Sequence, residues 1–272
     1  MVVSEKKPIN RSNFRIKLGI LYYRSLRYLK WLDITKKYSK IHSDVFLPYL
    51  CCEHRTPLLR KFKGVDMYLQ YNKITNLKIA VKKVNKVIIK PGEVFSYWKL
   101  IGKPTKRKGY VPGMVLTLGT FETAIGGGLC QLSNLIYYLT IHTPLTVIER
   151  HRHGFDVFPD SNRTQAFGSG ATCFYNYMDL CIRNDTDKSF QLNIKLSKDE
   201  LIGYFTSDFE SDEKYEVYET DHRFQSEYWG GYTRHNTLRR KVLSLDGQTI
   251  RDEFLVENHA IMMYSPLIDN KN

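Results

Sequence analysis

The chain has 272 residues, 42% hydrophobic, 13% aromatic and 25% charged, with 17 Gly and 9 Pro, a composition that fits one or two folded domains and excludes disordered, collagenous or solenoid chains. Five cysteines are too few for a disulfide-built scaffold, and the odd number leaves at least one thiol without an internal partner. The net charge of +13 is concentrated at one end: residues 1–40 hold eleven Lys or Arg against Glu5 and Asp33, a net of +9 that leaves only +4 for the rest of the chain. Charge confined to one short segment, with no reader motif beside it, does not make a nucleic-acid-binding surface, and no nucleic-acid partner is expected.

Within that segment Phe14, Leu18, Leu21, Tyr22, Leu29 and Leu32 recur at helical spacing, while Arg15, Arg24, Arg27 and Lys30 fall largely off the stripe. The pattern predicts an amphipathic basic helix with Ser12 as its N-cap. Two readings stand for it. Residues 1–40 lie peripherally on an anionic membrane, or the helix packs on its own domain. Charges interrupt the apolar stretch, no small-residue cleavage site follows, and no run approaches the ~18 apolar residues of a membrane span, so neither a secretory signal nor a transmembrane helix is expected. The expected location is cytoplasmic, with peripheral contact at the inner membrane face.

Further along, Leu69, Leu77, Ala80, Val81 and Val84 predict a second helix over 69–84, Val87 to Ile89 a short strand ended by Pro91-Gly92, and Met114 to Leu118 another strand. Residues Leu129 to Ile141 read as a buried helix that starts just after three glycines, and Thr146 to Phe158 as extended. Beyond about residue 170 strands dominate: Asp179 to Arg183, Phe190 to Leu196, Leu201 to Phe205 and Tyr215 to Glu219. Asp246-Gly247 then joins Leu238–Leu245 to Thr249–Val256 in a hairpin. The expected fold class is α+β, with helices in the N-terminal half and a mostly antiparallel β-sheet in the C-terminal half. Three parts follow: a basic amphipathic segment over 1–45, a central domain over 46–190, and a β-rich extension over 191–272 packed on it.

The segment that carries chemistry is Gly126-Gly127-Gly128-Leu129-Cys130-Gln131. Glycines let the backbone approach a ligand, and the following helix sets Cys130 in its first turn, where unpaired N–H groups and the positive helix end are expected to lower the thiol pKa and to hold an oxyanion. The alternative is a tight turn beside a small buried hydrophobe. A base is offered by Glu149-Arg150-His151-Arg152-His153: if this stretch is extended, Glu149, His151 and His153 share one face and Arg150 and Arg152 the other. One imidazole then activates Cys130 while a carboxylate, Glu149 or Asp156, orients its ring. Gly126, Gly127, Gly128, Gln131, Arg150 and Arg152 become the candidate substrate contacts, the arginines suiting a carboxylate or phosphate. The same face supports a rival, in which Glu149, His151, His153 and Cys130 ligate zinc, but cysteines usually enter such sites in pairs, and no metal is assigned. There is neither a Walker lysine nor a G-x-G-x-x-G string, and no cofactor is expected. Cys51, Cys52, Cys173 and Cys181 read as packing residues, and Tyr228-Trp229-Gly230-Gly231-Tyr232 as a turn under the sheet.

Several strings, in unbroken order over about residues 66–190, resemble the VanW family: Pro91-Gly92-Glu93-Val94-Phe95-Ser96, Ile101-Gly102, Gly109-Tyr110, Gly126 to Asn134, Glu149 to His153, Gly168-Ser169-Gly170-Ala171-Thr172 and Asn184-Asp185-Thr186. The family is associated with glycopeptide-resistance gene clusters, and some members look like L,D-transpeptidases that use the Cys of this motif. The resemblance implies Cys130 as the nucleophile and a peptidoglycan stem peptide or precursor as the partner. An intracellular role on a precursor, or an accessory role in resistance, is what this N-terminus suggests.

Overall fold

Apolar residues at helical spacing and β-branched runs at strand spacing fold as they should in the computed structural model, which describes residues 9, 11–60, 66–117, 119–157 and 165–266. The elements in chain order are α1 (Asn13–Trp31), β1 (Lys37–Tyr38), β2 (Tyr49–Pro57), α2 (Met67–Val84), β3 (Val87–Ile89), β4 (Glu93–Ser96), α3 (Tyr97–Ile101), β5 (Pro112–Thr117), β6 (Thr120–Ile125), α4 (Cys130–Thr140), β7 (Thr146–Glu149), β8 (Phe155–Asp156), β9 (Cys181–Arg183), β10 (Phe190–Leu196), β11 (Glu200–Ser207), β12 (Glu213–Ser226), β13 (Tyr232–Ser244) and β14 (Thr249–Met262). The class is α+β, with the four α-helices among the described residues ending at Thr140 and the long strands following. Of the expected segments, residues 1–8 and 10, Leu118 and Phe158 lie outside the described residues.

The strands form four sheets, ordered β1-β4-β9-β7, β2-β11-β10-β3, β12-β13-β14-β8 and β5-β6. Pairing is antiparallel except for β1 with β4 and β14 with β8. The β2-β11-β10-β3 sheet joins residues far apart in sequence, Leu201 lying opposite Thr56 and Leu192 opposite Val87. Against it pack α4, through Leu132, Leu135, Ile136 and Leu139, and α2, through Leu77, Ala80 and Val84, all fully or almost fully buried. A Cβ on Gly203 of β11 would meet Leu135 and Leu139 at 3.0 and 2.8 Å, so this residue sets how closely α4 approaches the sheet. Each such Leu or Ile stabilises the fold by about 1.5–3 kcal/mol through burial.

The Asp246-Gly247 turn forms as expected: Gly247 takes φ +86°, its N–H donates to the Ser244 carbonyl at 3.0 Å, and β13 and β14 pair on either side. Ser12 caps α1 by accepting from the Arg15 N–H at 3.4 Å. The expected extended run over 146–158 is interrupted: β7 ends at Glu149, and residues 150–153 leave the ladder before the short β8.

The docking of α1 inverts the usual arrangement. Arg24 donates to the Tyr175 carbonyl at 2.8 Å, Arg27 is buried in a bidentate pair with Glu149, and the hydroxyls of Tyr28 and Tyr175 are 3.0 Å apart. The apolar stripe from Phe14 to Leu32 faces away from the domain and is exposed.

Candidate functional site

Cys130 is the first residue of α4, and the turn that delivers it is built from glycine for reasons of space as well as conformation. Gly126 and Gly128 take φ of +78° and +88°, and a Cβ on Gly127 would lie 2.0 Å from the Gly113 carbonyl oxygen of β5. Buried Asn76 of α2 clamps this turn, donating to the carbonyls of Gly127 at 2.9 Å and Val111 at 3.0 Å and accepting from the Val111 N–H at 2.9 Å. Below it the Tyr97 hydroxyl donates to the Leu129 carbonyl at 2.9 Å. Among the described residues no carbonyl accepts from the N–H groups of Gly128 and Leu129, as expected of a helix start without a side-chain cap, and the Cys130 N–H faces its own sulfur.

The sulfur of Cys130 packs against the peptide of Cys173, its thiol 3.9 Å from that carbonyl oxygen. The segment Ala171–Cys173 is held between two elements. On one side Ser133 donates to the Ala171 carbonyl at 2.7 Å and Asn134 accepts the Ala171 N–H at 2.8 Å; on the other the Thr172 N–H donates to the His151 carbonyl at 2.8 Å. This packing corrects one expectation. Burial pushes the Cys130 thiol up, and the amides of Cys173 and of Cys130 itself, which face the sulfur, only partly offset it. Loss of solvation outweighs the helix start.

Of the three residues expected on one face, Glu149 and His151 come together and His153 does not. His151 Nε2 lies 3.0 Å from Glu149 Oε1. Burial alone would raise the Glu149 carboxyl, but His151, Arg27 and the Asp179 N–H hold it down at about 2. Because 150–153 is not a strand, the period of two fails after His151, and His153 turns its ring edge toward Phe174, with centroids 6.5 Å apart. Burial, and then Arg152, lower His153 to about 4 and keep it neutral. Among the described residues no hydrogen bond joins Cys130 to either imidazole, and no group of three or more His, Cys, Asp or Glu is placed to hold a metal, so the four donors of the zinc alternative do not converge.

Arg150 is committed inside the protein. It donates to the carbonyls of Gly168 and Gly170 and to Asn258 Oδ1, and its guanidinium lies 4.7 Å from the centroid of the Tyr137 ring. Arg152 lies 5.0 Å from the Phe167 ring centroid, and burial lowers it to about 10. Gln131 donates to Thr56 Oγ1 and to the Pro57 carbonyl, both at 2.9 Å, while its own carbonyl oxygen is buried and without a partner.

A scan of family models matches residues 72–206 to one described as VanW like protein, a span that contains the glycine turn, Cys130 and the Glu149–His151 pair. The vancomycin B-type resistance protein VanW of Enterococcus faecalis is 34% identical over 227 residues, covering 84% of this chain and 82% of that protein. The chain belongs to the VanW family. A shorter likeness, 27% identity over 78 residues, runs to the uncharacterized protein YoaR of Bacillus subtilis, covering 29% of this chain and 26% of that one. No solved structure matches the chain.

Two charged residues that sequence reasoning passed over belong to this VanW site. Lys73 of α2 is buried with its stem against Gly128, whose added Cβ would lie 2.3 Å from Lys73 Cγ; its ammonium donates to Gln70 Oε1 at 2.9 Å, and burial, then Arg60, lower it to about 8. Asp179 is fully buried behind Glu149, accepting from Ser96 Oγ at 2.6 Å and from the N–H groups of Trp98 and Leu180 at 3.0 and 2.9 Å. Burial raises its pKa. Neither carried a signal, since Lys73 sits on a helix like any surface lysine and Asp179 opens what reads as an ordinary strand.

Proposed function

We propose that the chain acts in resistance to vancomycin-type glycopeptides as a thiol-dependent acyl transferase of the L,D-transpeptidase type, acting on a peptidoglycan stem peptide or its precursor at the inner membrane face. The observation that carries this reading is Cys130 at the first turn of α4, with the N–H groups of Gly128 and Leu129 unpaired among the described residues beside it. The likeness to the enterococcal resistance protein supplies the biological setting.

In this reading the Cys130 thiol gives its proton to an imidazole, and Sγ bonds to the carbonyl carbon of the third stem residue. The carbonyl oxygen takes up negative charge against the amides at the start of α4. The bond from that carbon to the nitrogen of D-Ala then breaks, D-Ala leaves as an amine with the proton returned by the imidazole, and a thioester remains. An acceptor amine attacks it, forms the new amide, and frees the thiol. His151 is the candidate base because Glu149 holds its Nε2 and leaves Nδ1 for the proton. Since the free thiol is held un-ionised, the proton must be taken in the substrate complex, with the Ala171–Cys173 segment giving way between the two groups.

A second reading is favoured by the burial of that same sulfur, which suits a residue that packs rather than reacts. The chain then binds a cell-wall precursor or a partner without turning it over. Mass spectrometry after incubation with tetrapeptide-stem fragments separates the two: a thioester on Cys130 with release of D-Ala supports the transferase, and saturable binding without an adduct, unchanged in Cys130→Ala, supports the binding protein.

A further inference from the structure

Helix α1 docks on the domain through Arg24 and Arg27, with Ile16, Ile20, Leu26 and Trp31 half-buried near them, and presents a separate apolar edge to solvent. Arg24 and Arg27 point inward to the Tyr175 carbonyl and the Glu149 carboxylate. Outward point Phe14, Leu18, Leu21, Tyr22, Leu29 and, at the cap, Leu32, with exposures from 56% at Leu18 to 75% at Phe14 and Leu32. At 100° per residue these six fall within an arc about 100° wide, which makes one continuous apolar stripe. A stripe of this kind is rare on the surface of a protein that meets only water. Arg15 and Lys17 border it on either side, both exposed, and Lys30 is exposed further round the helix.

We propose that this stripe is a membrane-binding surface and that α1 lies in the plane of an anionic bilayer, its Leu, Phe and Tyr side chains at the headgroup–acyl boundary and Arg15 and Lys17 among the lipid phosphates. Charge decides between the occupants. From Asn13 to Trp31 there is not one Asp or Glu, and the basic residues that do not point inward, Arg15, Lys17 and Lys30, are exposed, which complements a surface of uniform negative sign. A second copy docked on the same stripe would bring the Arg15 and Lys17 of both helices to one apolar seam, with no carboxylate on either helix to pair them. Because Arg27 pairs with Glu149, and Glu149 with His151, such seating holds that pair about one helix diameter, ~10 Å, from the lipid.

The test is flotation of the full chain with vesicles of equal parts phosphatidylglycerol and phosphatidylcholine, and with pure phosphatidylcholine. The protein is expected to float with the anionic vesicles at low salt, at least about tenfold less with the neutral ones, and to lose binding by at least about a hundredfold in the double variant Leu18→Asp, Leu29→Asp. Both leucines are exposed, so the double variant should keep the far-ultraviolet circular dichroism and unfolding midpoint of the parent. Arg15→Gln with Lys17→Gln offers a milder pair and should weaken anionic binding about thirtyfold. Absence of flotation with anionic vesicles overturns the proposal, as does anionic binding unaffected by both pairs of substitutions. A dimer in sedimentation that Leu18→Asp, Leu29→Asp abolishes, with no flotation, overturns it in favour of self-association.

Discussion

Helices α1 and α4 carry the same kind of signal, apolar residues at spacings of three and four, and the fold uses them in opposite senses. Helix α4 buries Leu132, Leu135, Ile136 and Leu139 against the β2-β11-β10-β3 sheet; α1 buries Arg27, half-buries Ile16, Ile20, Leu26 and Trp31, and leaves Leu18, Leu21 and Leu29 in solvent. The difference comes from what each helix meets. Beside α4 are apolar strand residues such as Leu201 and Phe205, whereas beside α1 are the carboxylates of Glu149 and Asp179, the latter 4.0 Å from the Arg27 guanidinium. A buried carboxylate left without its cation is costly enough to decide which edge of a helix docks. Hydrophobic periodicity reports that a helix has two faces, and the neighbours choose between them.

The sharpest way to break this comparison is Arg27→Ala. Leaving half-buried Glu149 without its bidentate partner and fully buried Asp179 without its nearby cation should destabilise the protein by about 3–5 kcal/mol in urea unfolding. A loss below about 1 kcal/mol would show that α1 is not held by its charged edge. Next comes Leu135→Ala in α4, with an expected cost of about 2–5 kcal/mol, set against Leu18→Ala in α1, expected within about 0.5 kcal/mol. Equal costs for the two would erase the distinction between the faces.

A smaller effect sharpens the electrostatic half of the comparison. His153 is held neutral with its pKa lowered from 6.5 to about 4, so the unfolded chain binds the proton first; the stability this gives is complete above pH 6.5 and is lost as pH falls toward 4. Glu149 is lowered from 4.5 to about 2, and its contribution persists above 4.5 and disappears between 4.5 and 2. Urea midpoints measured across pH should therefore fall in two stages. His153→Phe flattens the upper stage and Glu149→Gln the lower; a single stage that neither substitution alters contradicts the assignment.

Much of the architecture was legible where local chemistry is strong. Ser12 at the start of α1, the apolar runs of α2 and α4, and Asp246-Gly247 at the last hairpin all act through near neighbours in sequence. Less was legible where distant segments decide. Strand β2 carries the half-exposed pair Cys51-Cys52 and exists because β11 offers it an edge, a pairing across about 150 residues that no local pattern announces. The break after Glu149 has the same origin, since the carbonyls of Gly168 and Gly170 draw Arg150 out of the ladder. For the site, the string around Cys130 located the helix start and the glycine turn, and the Glu149–His153 string, read with Glu149 or Asp156 as the carboxylate, pointed to the Glu149–His151 contact. The state of the thiol was not legible, because it is set by the Ala171–Cys173 segment that closes over it from elsewhere in the chain.

The central claim is that Cys130 forms a covalent bond with a cell-wall peptide. Intact-protein mass spectrometry of the parent chain and of Cys130→Ala, each incubated with a tetrapeptide-stem fragment and digested to locate any adduct, tests it most directly. The account predicts a hydroxylamine-sensitive thioester on Cys130, release of D-Ala, and neither in the alanine variant. Binding of the fragment with no adduct on Cys130, or release of D-Ala that survives Cys130→Ala, would contradict it.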